Sequence, residues 1–513
     1  MKIGRVMISR KVLKALVIVV SLLTAIWILA VPYALGQTPE VLWIRQFGTT
    51  SSDFAEGAAA DATGNVYVAS FEFTAAGSYV RKYNANGTSI WTRQISGARA
   101  HAVGVDGSGN VYVFGWLSGT LPGQTSAGGA DGYVRKYDPN GNELWTRQFG
   151  TSGSETAIGG GVAANGDAYI VGTTTGAFPG HTPAGGFDAF VCKFDADGNR
   201  TCRQYGSPVN DSAYDAAPDG MGNVYVAGET RGILGPGGSG FFSDAYIRKY
   251  DANLDHAWTR QFGANVEWGF GVATDGNGNA YLVGRTSGAI PGQVSAGDDD
   301  AYVRKYDPAG NELWTRQFGT EFADDAAEAG TDSAGNVYVS GFVGGTLTGQ
   351  TSSGSSDAYV RKYDSNGNVV WTKQFGSSGS DNGLGVAATG TNLAYVVGWT
   401  DGTFPGQTSA GGVDAFVAKV GILTPAQMTQ NLINAVNALP VSPGTKNSLK
   451  APLNNTIQFL TDGNPNSDAA ACGQLTAFIN SVADKFSQAL LTADEADQLT
   501  NAANAIKAAL GCP

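Results

Sequence analysis

The sequence predicts an all-β seven-bladed β-propeller with four-stranded antiparallel blades, followed by a small all-α C-terminal domain. One strand–turn–strand pattern, seen at residues 300–319, recurs along most of the 513 residues. Its Trp-containing half returns at intervals of 48 to 57 residues, and a fixed period of this size indicates a repeat architecture. After residue 420 the apolar residues follow a helical period instead.

Residues 1–36 differ from the rest of the chain in composition. Five Lys and Arg residues come before a nearly unbroken apolar run at 15–36. Ala34 and Gly36 are the small residues that a signal peptidase recognises, which would leave Gln37 as the new N-terminus. We favour a cleaved signal peptide, and the alternative is an uncleaved membrane anchor, because a run of this length can span a bilayer. Either interpretation predicts export to the cell surface or the extracellular space.

Residues 41–420 form the repeat region. Each repeat contains four short strands, and Gly-containing turns separate the first strand from the second and the third from the fourth. Gly supplies positive φ there, and the preceding Asp or Asn side chain bonds the backbone of its own turn. Seven units with four strands each favour a propeller. An open solenoid is the alternative, because repeats of this period also build arrays.

The phase of the repeats predicts how the ring closes. The chain enters at 41–48 with a Trp-containing strand that has no predecessor, and it leaves at 414–420 with a strand that lacks its Trp-containing partner. We therefore predict that the N-terminal strand completes the seventh blade. A closed ring hides sheet edges that would otherwise pair with other chains.

Two sequence patterns recur along the repeats, namely the Asp-Ala-Tyr/Phe strands and the Gly-Asn-Val-Tyr-Val runs at 64–68, 109–113, 222–226 and 335–339. In these residues the repeats resemble the SBBP repeat, the seven-bladed β-propeller repeat of exported bacterial and archaeal proteins. The resemblance covers residues 41–420 and implies an extracellular propeller, but it implies no activity. WD40 is disfavoured because neither a Gly-His nor a Trp-Asp pair recurs.

Residues 421–513 predict four helices. Thr424 and Ser442 each precede a Pro at the first helical position, which is typical of a helix start. Pro452 is expected to kink or divide the second helix. A third helix is predicted over 469–490, and a capping box at 492–495 begins a fourth that ends at Gly511.

Phe478 and Ile479 lie in the predicted third helix. They match the first two residues of the namesake motif of the FIMAH-type module, found at the C-termini of exported surface proteins, which this helical region resembles. The resemblance implies a small accessory domain and leaves its role open.

The net charge of −12 excludes two classes of partner. An acidic chain has no electrostatic footprint for nucleic acid. It would also not adhere to an anionic lipid surface. The only positive cluster lies in residues 1–36, so membrane contact is expected only through that segment, if it is uncleaved.

Four cysteines in an oxidising compartment allow three pairings. Cys192 and Cys202 flank a short turn, which would place them opposite each other on paired strands, close enough for a disulfide. Cys472 and Cys512 then remain for a second disulfide in the helical region. Two disulfides are favoured over a four-cysteine metal site, which this spacing supports poorly.

A ring of acidic residues comes just before the innermost strand of six blades. We favour a structural role, in which each carboxylate caps backbone N–H groups at a blade corner, because a residue repeated in nearly every blade serves what every blade needs. We predict no cofactor, with a divalent cation such as calcium at this ring as the open alternative. The ring consists of Asp53, Glu155, Asp211, Glu267, Asp324 and Asp381.

Two histidines depart from the repeat pattern and suggest an enzyme hypothesis. His101 takes the place of the ring region in blade 2, and His181 replaces the usual Gln after Pro-Gly in blade 3, which keeps Glu155. Together these three residues could form the acid/base or metal constellation of an extracellular lyase or hydrolase. The alternative is that two of the three histidines fall in loops by chance.

Long loops on one face of the propeller are the expected binding region, because loops on a rigid scaffold commonly carry function. The candidates are the Pro-Gly-Gln residues Gln124, Gln293 and Gln407, together with Trp268, an aromatic residue suited to stacking on a sugar. We predict a secreted or cell-surface, non-catalytic protein that binds or scaffolds an extracellular glycan, cell-wall polymer or protein. The alternatives are the enzyme described above and a structural surface-layer or adhesion element.

Overall fold

A computed structural model describes residues 38–73, 77–240, 242–263, 265–464 and 467–512. The chain divides into two compact units, of which one is Pro39–Ile422 and the other contains Leu423–Pro513. Residues 1–36, for which we predict a signal peptide or an anchor, lie outside the described residues. No helix within the described ranges is long and apolar enough to cross a membrane.

The first unit is a propeller of seven blades, each a four-stranded antiparallel sheet, as the sequence predicts. Six blades use four consecutive strands, with the first lining the central channel. Blades 1 to 3 are β2 (Asp53–Ala60), β3 (Val66–Glu72), β4 (Gly77–Tyr83), β5 (Ser89–Ile95); β6 (Arg99–Val105), β7 (Val111–Ser118), β8 (Ala130–Tyr137), β9 (Glu143–Phe149); and β10 (Glu155–Val162), β11 (Ala168–Thr174), β12 (Asp188–Phe194), β13 (Arg200–Tyr205).

The remaining blades follow the same order. They are β14 (Asp211–Pro218), β15 (Val224–Thr230), β16 (Asp244–Tyr250), β17 (His256–Phe262); β18 (Glu267–Thr274), β19 (Ala280–Thr286), β20 (Asp300–Tyr306), β21 (Glu312–Phe318); β22 (Asp324–Thr331), β23 (Val337–Val343), β24 (Asp357–Tyr363), β25 (Val369–Phe375); and β26 (Asp381–Thr389), β27 (Leu393–Thr400), β28 (Asp414–Gly421), β1 (Glu40–Phe47).

Strand β1 closes the ring. It pairs antiparallel with β28, so the outermost strand of blade 7 comes from the start of the repeat region and the other three strands come from its end. The register places Trp43 opposite Lys419 and Phe47 opposite Ala415. The prediction from the phase of the repeats is therefore confirmed.

A recurring Trp-x-Arg motif joins the outer strand of five blades to the next blade. Trp43 donates its indole N–H to the Ala85 carbonyl at 3.0 Å, and Arg45 Nε donates to the Gly87 carbonyl at 2.9 Å. Gly87 has φ of 75°, and a Cβ there would lie 2.8 Å from the Trp43 ring. The hairpin therefore needs Gly both for its backbone and for this contact. The indole bond recurs in four other blades, at Trp91, Trp145, Trp258 and Trp314.

Blade 3 lacks this Trp and is held differently. Thr201 occupies the Trp position, and the next residue, Cys202, lies opposite Cys192 and forms a disulfide with it. In blade 4 the hairpin residue equivalent to Gly87 is Leu254, which is fully buried and has φ of 60°. Loss of the Trp in one blade is thus matched by replacement of the Gly in the next.

The second unit consists of four helices around one apolar core that includes Leu432, Val436, Leu453, Phe478 and Leu499. Cys472 and Cys512 form the second predicted disulfide. The resemblance to a FIMAH-type module stays a prediction. The helices are α1 (Pro425–Ala438), α2 (Pro443–Thr461), α3 (Asp468–Ser487) and α4 (Ala493–Ala509).

The helix starts follow the sequence prediction. Thr424, Ser442 and Thr492 are N-caps whose side chains accept a backbone N–H bond, and Thr492 forms the expected capping box with Glu495. Pro452 does not divide α2, which is continuous from Pro443 to Thr461. Packing of the surrounding apolar residues, such as Leu449 and Leu453, keeps both halves of the helix in the core.

Candidate functional site

The inner strand of every blade contains a β-bulge near its start, and a bulge turns its extra residue away from the regular strand direction. The bulged residue and the residue two positions before it differ from blade to blade. We call these fourteen residues the mouth ring, because they lie where the channel opens on the side of the long loops. They are Phe54, Glu56, Arg99, His101, Thr156, Ile158, Ser212, Tyr214, Trp268, Phe270, Asp325, Ala327, Asn382 and Leu384.

Blades 1 and 2 contribute a polar cluster to the mouth ring. Glu56 accepts a bond from Arg99 Nη2 at 2.8 Å and makes a short contact with His101 Nδ1. Burial opposes ionisation of Glu56, but the bonds and charges of His101 and Arg99 outweigh it, so the pKa of Glu56 is lowered. The Glu56 carboxylate is therefore bound on both oxygens by neighbouring side chains.

Both ring nitrogens of His101 are occupied. Trp116 donates its indole N–H to His101 Nε2 at 3.1 Å, while Nδ1 faces Glu56. Because Nε2 accepts a bond, the proton of the neutral ring lies on Nδ1, where it is donated to Glu56. A general base needs a free lone pair, so this geometry does not present His101 to a substrate.

An aromatic wall follows on the side of blades 7 and 1. The ring centroid of Phe54 lies 5.9 Å from that of Phe73 and 6.1 Å from that of Trp399, both in edge-to-face geometry. Phe71 packs against Phe73 at 4.8 Å, and the Arg99 guanidinium lies 4.8 Å from the centre of Phe71. Phe73 is 58% exposed, so the wall offers an apolar face to solvent.

A second aromatic cluster lies in blade 5. Trp268 and Phe270 are nearly parallel, with an interplanar angle of 11° and centroids 6.5 Å apart. Arg285, opposite Trp268 on β19, places its guanidinium 4.2 Å from the Trp268 centroid. Arg285 Nη1 is 3.7 Å from Asp299, and Asp325 of blade 6 interacts with the same guanidinium charge.

Deeper in the channel, two carboxyl groups from different blades meet. Asp215 and Glu328 each follow the bulge, a position that is Gly or Ala in the other five blades, and they are hydrogen-bonded to each other. Gly271 of the intervening blade leaves them room, because a Cβ there would lie 2.8 Å from Glu328 Oε1. Burial raises the pKa of Asp215 to about 6, and burial together with the Asp215 charge raises that of Glu328. The pair lines a channel cavity of about 410 Å³.

The predicted acidic ring is used within the blade corners. Glu155 is fully buried and accepts bonds from Thr151 N at 2.7 Å, Thr151 Oγ1 at 2.6 Å and Thr174 Oγ1 at 2.6 Å. No group of three or more His, Cys, Asp or Glu side chains within the described ranges could hold a metal ion. Backbone N–H groups of the preceding turn bond the other members in the same way, at Asp53, Asp211, Glu267, Asp324 and Asp381.

The three residues of the enzyme hypothesis therefore each bond to partners outside that group. Glu155 caps a corner of blade 3, and His101 pairs with Glu56 of blade 1. The half-buried His181 lies in its loop with its backbone N–H bonded to the Phe178 carbonyl. Whether these residues act on a substrate stays untested.

The amides of the Pro-Gly-Gln loops are also engaged. Gln124 accepts the backbone N–H of Gln148 at 3.0 Å and donates to the Gly123 carbonyl at 3.2 Å. Gln293 and Gln407 make the equivalent contacts in blades 5 and 7. These side chains fasten the loops to the outer strands, which leaves Trp268 as the predicted binding residue that lies in the mouth ring.

Comparison with known proteins agrees with this architecture. Residues 257–290 match the family model of the SBBP β-propeller repeat. The match lies within the propeller, from β17 to β19. The chain is 26% identical over 393 residues to the regulatory protein FlaEY of Caulobacter vibrioides, covering 66% of this chain and 41% of that protein. It is also 26% identical over 141 residues to an uncharacterised WD repeat-containing protein of Acanthamoeba polyphaga mimivirus, covering 25% of this chain and 10% of that protein. The chain thus spans less than half the length of these relatives.

Two solved structures align with most of this chain. The Dos1 propeller aligns with a TM-score of 0.38 and 10% identity, covering 69% of this chain and 74% of that one. The polysaccharide lyase Uly1 aligns with a TM-score of 0.42 and 11% identity, covering 72% of this chain and 90% of that one.

Sequence reasoning missed several residues at the mouth of the propeller. Glu56, Arg285, Asp325 and the pair Asp215 and Glu328 were not among its candidates. Alignment of the inner strands on their bulges would have found Glu56, Asp325 and the pair, because the blades differ most at these positions. The bulge itself has no reliable sequence signal, so that alignment requires the structure.

Proposed function

We propose that this protein is a non-catalytic binding module whose ligand contacts the mouth ring. The observation that carries the proposal is the contrast between repeated and variable positions. Repeated polar residues such as Asp53, Gln124 and Arg45 are bonded within or between blades. The mouth ring instead varies and combines aromatic faces with charged groups, as ligand sites on rigid scaffolds do.

The geometry favours binding over catalysis. His101 has both nitrogens engaged, and Glu155 is bonded on a buried corner. Exposed Phe73 and half-buried Trp268 and Trp116 provide stacking surfaces beside polar groups, which suits a glycan or a protein ligand. We propose an extracellular glycan, cell-wall polymer or protein as the ligand class.

We also propose that the protein acts outside the cytoplasm. The support is chemical: all four cysteines form disulfides, which persist in oxidising compartments and are rare in reducing ones. Fusing the first 36 residues to a reporter that is active only after export would test the proposal. An inactive reporter would contradict it.

Thermal unfolding of the full-length protein, scanned against neutral and acidic glycans, cell-wall fragments and envelope proteins, tests the binding proposal. A ligand at a hundred times its dissociation constant adds about 2.7 kcal/mol to the unfolding free energy. We expect a shift for at least one ligand, reduced by Phe73→Ser or Trp268→Ala. Leu313→Ala is the control, since Leu313 is 52% exposed but lies on an outer strand. A shift that neither mouth variant reduces, or no shift at all, would favour the structural surface-layer alternative.

A further inference from the structure

Blades 5 and 6 bring three chemically distinct side chains together at the mouth. Trp268 lies on inner strand β18 and Arg285 lies opposite it on β19, with the guanidinium 4.2 Å from the indole centroid. Asp325 occupies the position equivalent to Trp268 in the next blade and faces the Arg285 charge. Phe270 extends the aromatic surface, since its ring is nearly parallel to that of Trp268.

Two polar atoms of this group are buried without a hydrogen-bond partner among the described residues. They are Arg285 Nε, a donor, and Asp325 Oδ1, an acceptor. Leaving a buried donor or acceptor unbonded costs roughly 1 to 3 kcal/mol, so each such group in a folded protein calls for an explanation. Burial also raises the pKa of Asp325 to about 7, and the charge of Arg285 only partly opposes this.

The corresponding Arg–Trp pair of blade 2 shares one feature with this group, because Arg99 Nε is likewise buried without a hydrogen bond. Arg99 Nη2 nevertheless donates to Glu56 at 2.8 Å, and Trp116 donates its indole N–H to His101 at 3.1 Å. In blade 5 the closest acidic atom to the Arg285 guanidinium is that of Asp299, at 3.7 Å, which is longer than a hydrogen bond. The Arg285 guanidinium therefore lacks the carboxylate hydrogen bond that Arg99 makes.

The charges restrict the chemistry of a ligand. An anionic ligand would be repelled by Asp325 and Asp299, in a protein whose net charge is already −12. A cationic ligand would be repelled by Arg285. A neutral hydroxyl both accepts and donates, so adjacent hydroxyls can satisfy the guanidinium and the carboxyl group together. The apolar C–H face of a pyranose matches an indole plane, and Trp268 is half-buried at the mouth.

We propose that Trp268, Arg285 and Asp325 form a subsite for a neutral pyranose unit of a polysaccharide. The sugar ring stacks on the Trp268 indole, one hydroxyl accepts from Arg285, and an adjacent hydroxyl donates to Asp325. This subsite rests on the proposed function and specifies its ligand class. It is also contributed by only two blades, so it predicts one sugar unit at this point of the mouth.

Isothermal titration of the full-length protein with neutral hexasaccharides of glucose, xylose and mannose tests the subsite. We expect one of them to bind, and Trp268→Ala to weaken its binding about tenfold or more, as truncation of an aromatic anchor does. Trp268→Phe should retain part of the affinity, which separates loss of stacking from loss of folding. Asp325→Asn should weaken binding about fivefold, because a hydroxyl bonds a carboxylate more strongly than it bonds an amide oxygen. Leu313→Ala, with an unchanged dissociation constant, serves as the control.

The outcomes separate the subsite from the wider proposal. A neutral hexasaccharide that binds equally well to Trp268→Ala and Asp325→Asn overturns the subsite. Polygalacturonate or an envelope protein that binds at the mouth, while every neutral hexasaccharide fails, also overturns it but leaves the mouth as a binding surface. If none of these probes binds, and Phe73→Ser and Trp268→Ala change nothing, both proposals fall.

Discussion

The channel pair shows how much one position can change between blades. Where other blades carry Gly or Ala, Asp215 accepts the backbone N–H of Val272 at 3.0 Å and is also bonded to Glu328. A bond between two carboxyl groups requires one of them to hold a proton. The hydrogen bond between Asp215 and Glu328 therefore forms only when the pair is partly protonated.

We expect the stability of the propeller to fall as the pH rises through the titration of this pair. Both folded pKa values are raised, that of Asp215 to about 6, above an unfolded value near 4. Their stabilising effect is thus complete below about pH 4 and is lost as the pH passes about 6. Glu328→Gln should raise the unfolding free energy relative to wild type, and this gain should be about 1 to 2 kcal/mol larger at pH 8 than at pH 5, after allowance for channel water.

Denaturant unfolding of wild type and Glu328→Gln at pH 5 and pH 8 measures this difference. Glu321→Gln is the matched control, because Glu321 is an exposed carboxylate of the same blade outside the channel. Equal pH dependence in Glu328→Gln and wild type would mean that the two carboxyl groups do not share a proton.

At the scale of elements, the contact between blades 3 and 4 departs from the repeat. In four other blades a hairpin Gly packs on the Trp ring of the preceding blade, as Gly87 does on Trp43. Here Thr201 and Leu254 replace that pair, and a cavity of about 320 Å³ lies beside them. Leu254 also holds a left-handed backbone, which costs a side chain with a Cβ roughly 1 to 2 kcal/mol.

We predict strong coupling between these two positions. Thr201→Trp alone should destabilise the propeller by about 1 to 3 kcal/mol, because Leu254 occupies the surface on which the indole packs elsewhere. Leu254→Gly alone should cost about 2 to 4 kcal/mol through loss of buried volume. The double variant should lie near wild type, since Trp can then donate to the Ala252 carbonyl as its counterparts do. Denaturant unfolding of wild type, both single variants and the double variant gives the coupling energy. If the two single effects add up to that of the double variant, positions 201 and 254 are not coupled.

The disulfides act on elements of different size. The bond between Cys472 and Cys512 closes a loop of 40 residues, whereas that between Cys192 and Cys202 closes one of 10. Loop-closure entropy assigns them about 4 and about 2.7 kcal/mol. We expect the paired Cys→Ser change at 472 and 512 to lower the melting temperature of the helical unit. Circular dichroism at 222 nm would follow this transition, and an unchanged helical transition would show that the apolar core alone holds the helices.

For the whole molecule, stability depends on ring closure by β1. Its pairing with β28 leaves blade 7 with a full set of four strands. The side chains of Trp43 and Arg45 also bind the hairpin of blade 1, at Ala85 and Gly87. Strand β1 therefore covers the edge of blade 7 and also bonds blade 7 to blade 1.

Removal of residues 38–47 should expose the edge of β28 and promote association through it. Hydrogen exchange should rise in β28 and β27 before it rises in blade 2, which is the control within the same molecule. Size-exclusion chromatography should show dimers or larger species. A monomer with uniform exchange would show that the ring is held without its closing strand.

Much of this architecture could be predicted because it is local or repeated. The hairpin turns, the number of blades, the phase that identifies β1 as the closing strand and the pairing of Cys192 with Cys202 all follow from spacing along the chain. Every repeat presents the same local signals, and each copy reinforces the others. The helix starts of the second unit were predictable for the same reason, since Thr424 and Thr492 cap their own helices.

The partners at the mouth and in the channel were decided by the tertiary structure. His101 pairs with Glu56 rather than Glu155, Asp215 meets Glu328 across a blade, and Asp325 faces Arg285. Each of these pairs joins different blades. Their contacts depend on how the bulge turns each side chain and on how closing the ring brings the inner strands together, and neither is encoded in the spacing of a single repeat. The sequence by itself determined the scaffold, and the closed ring determined which residues share a site.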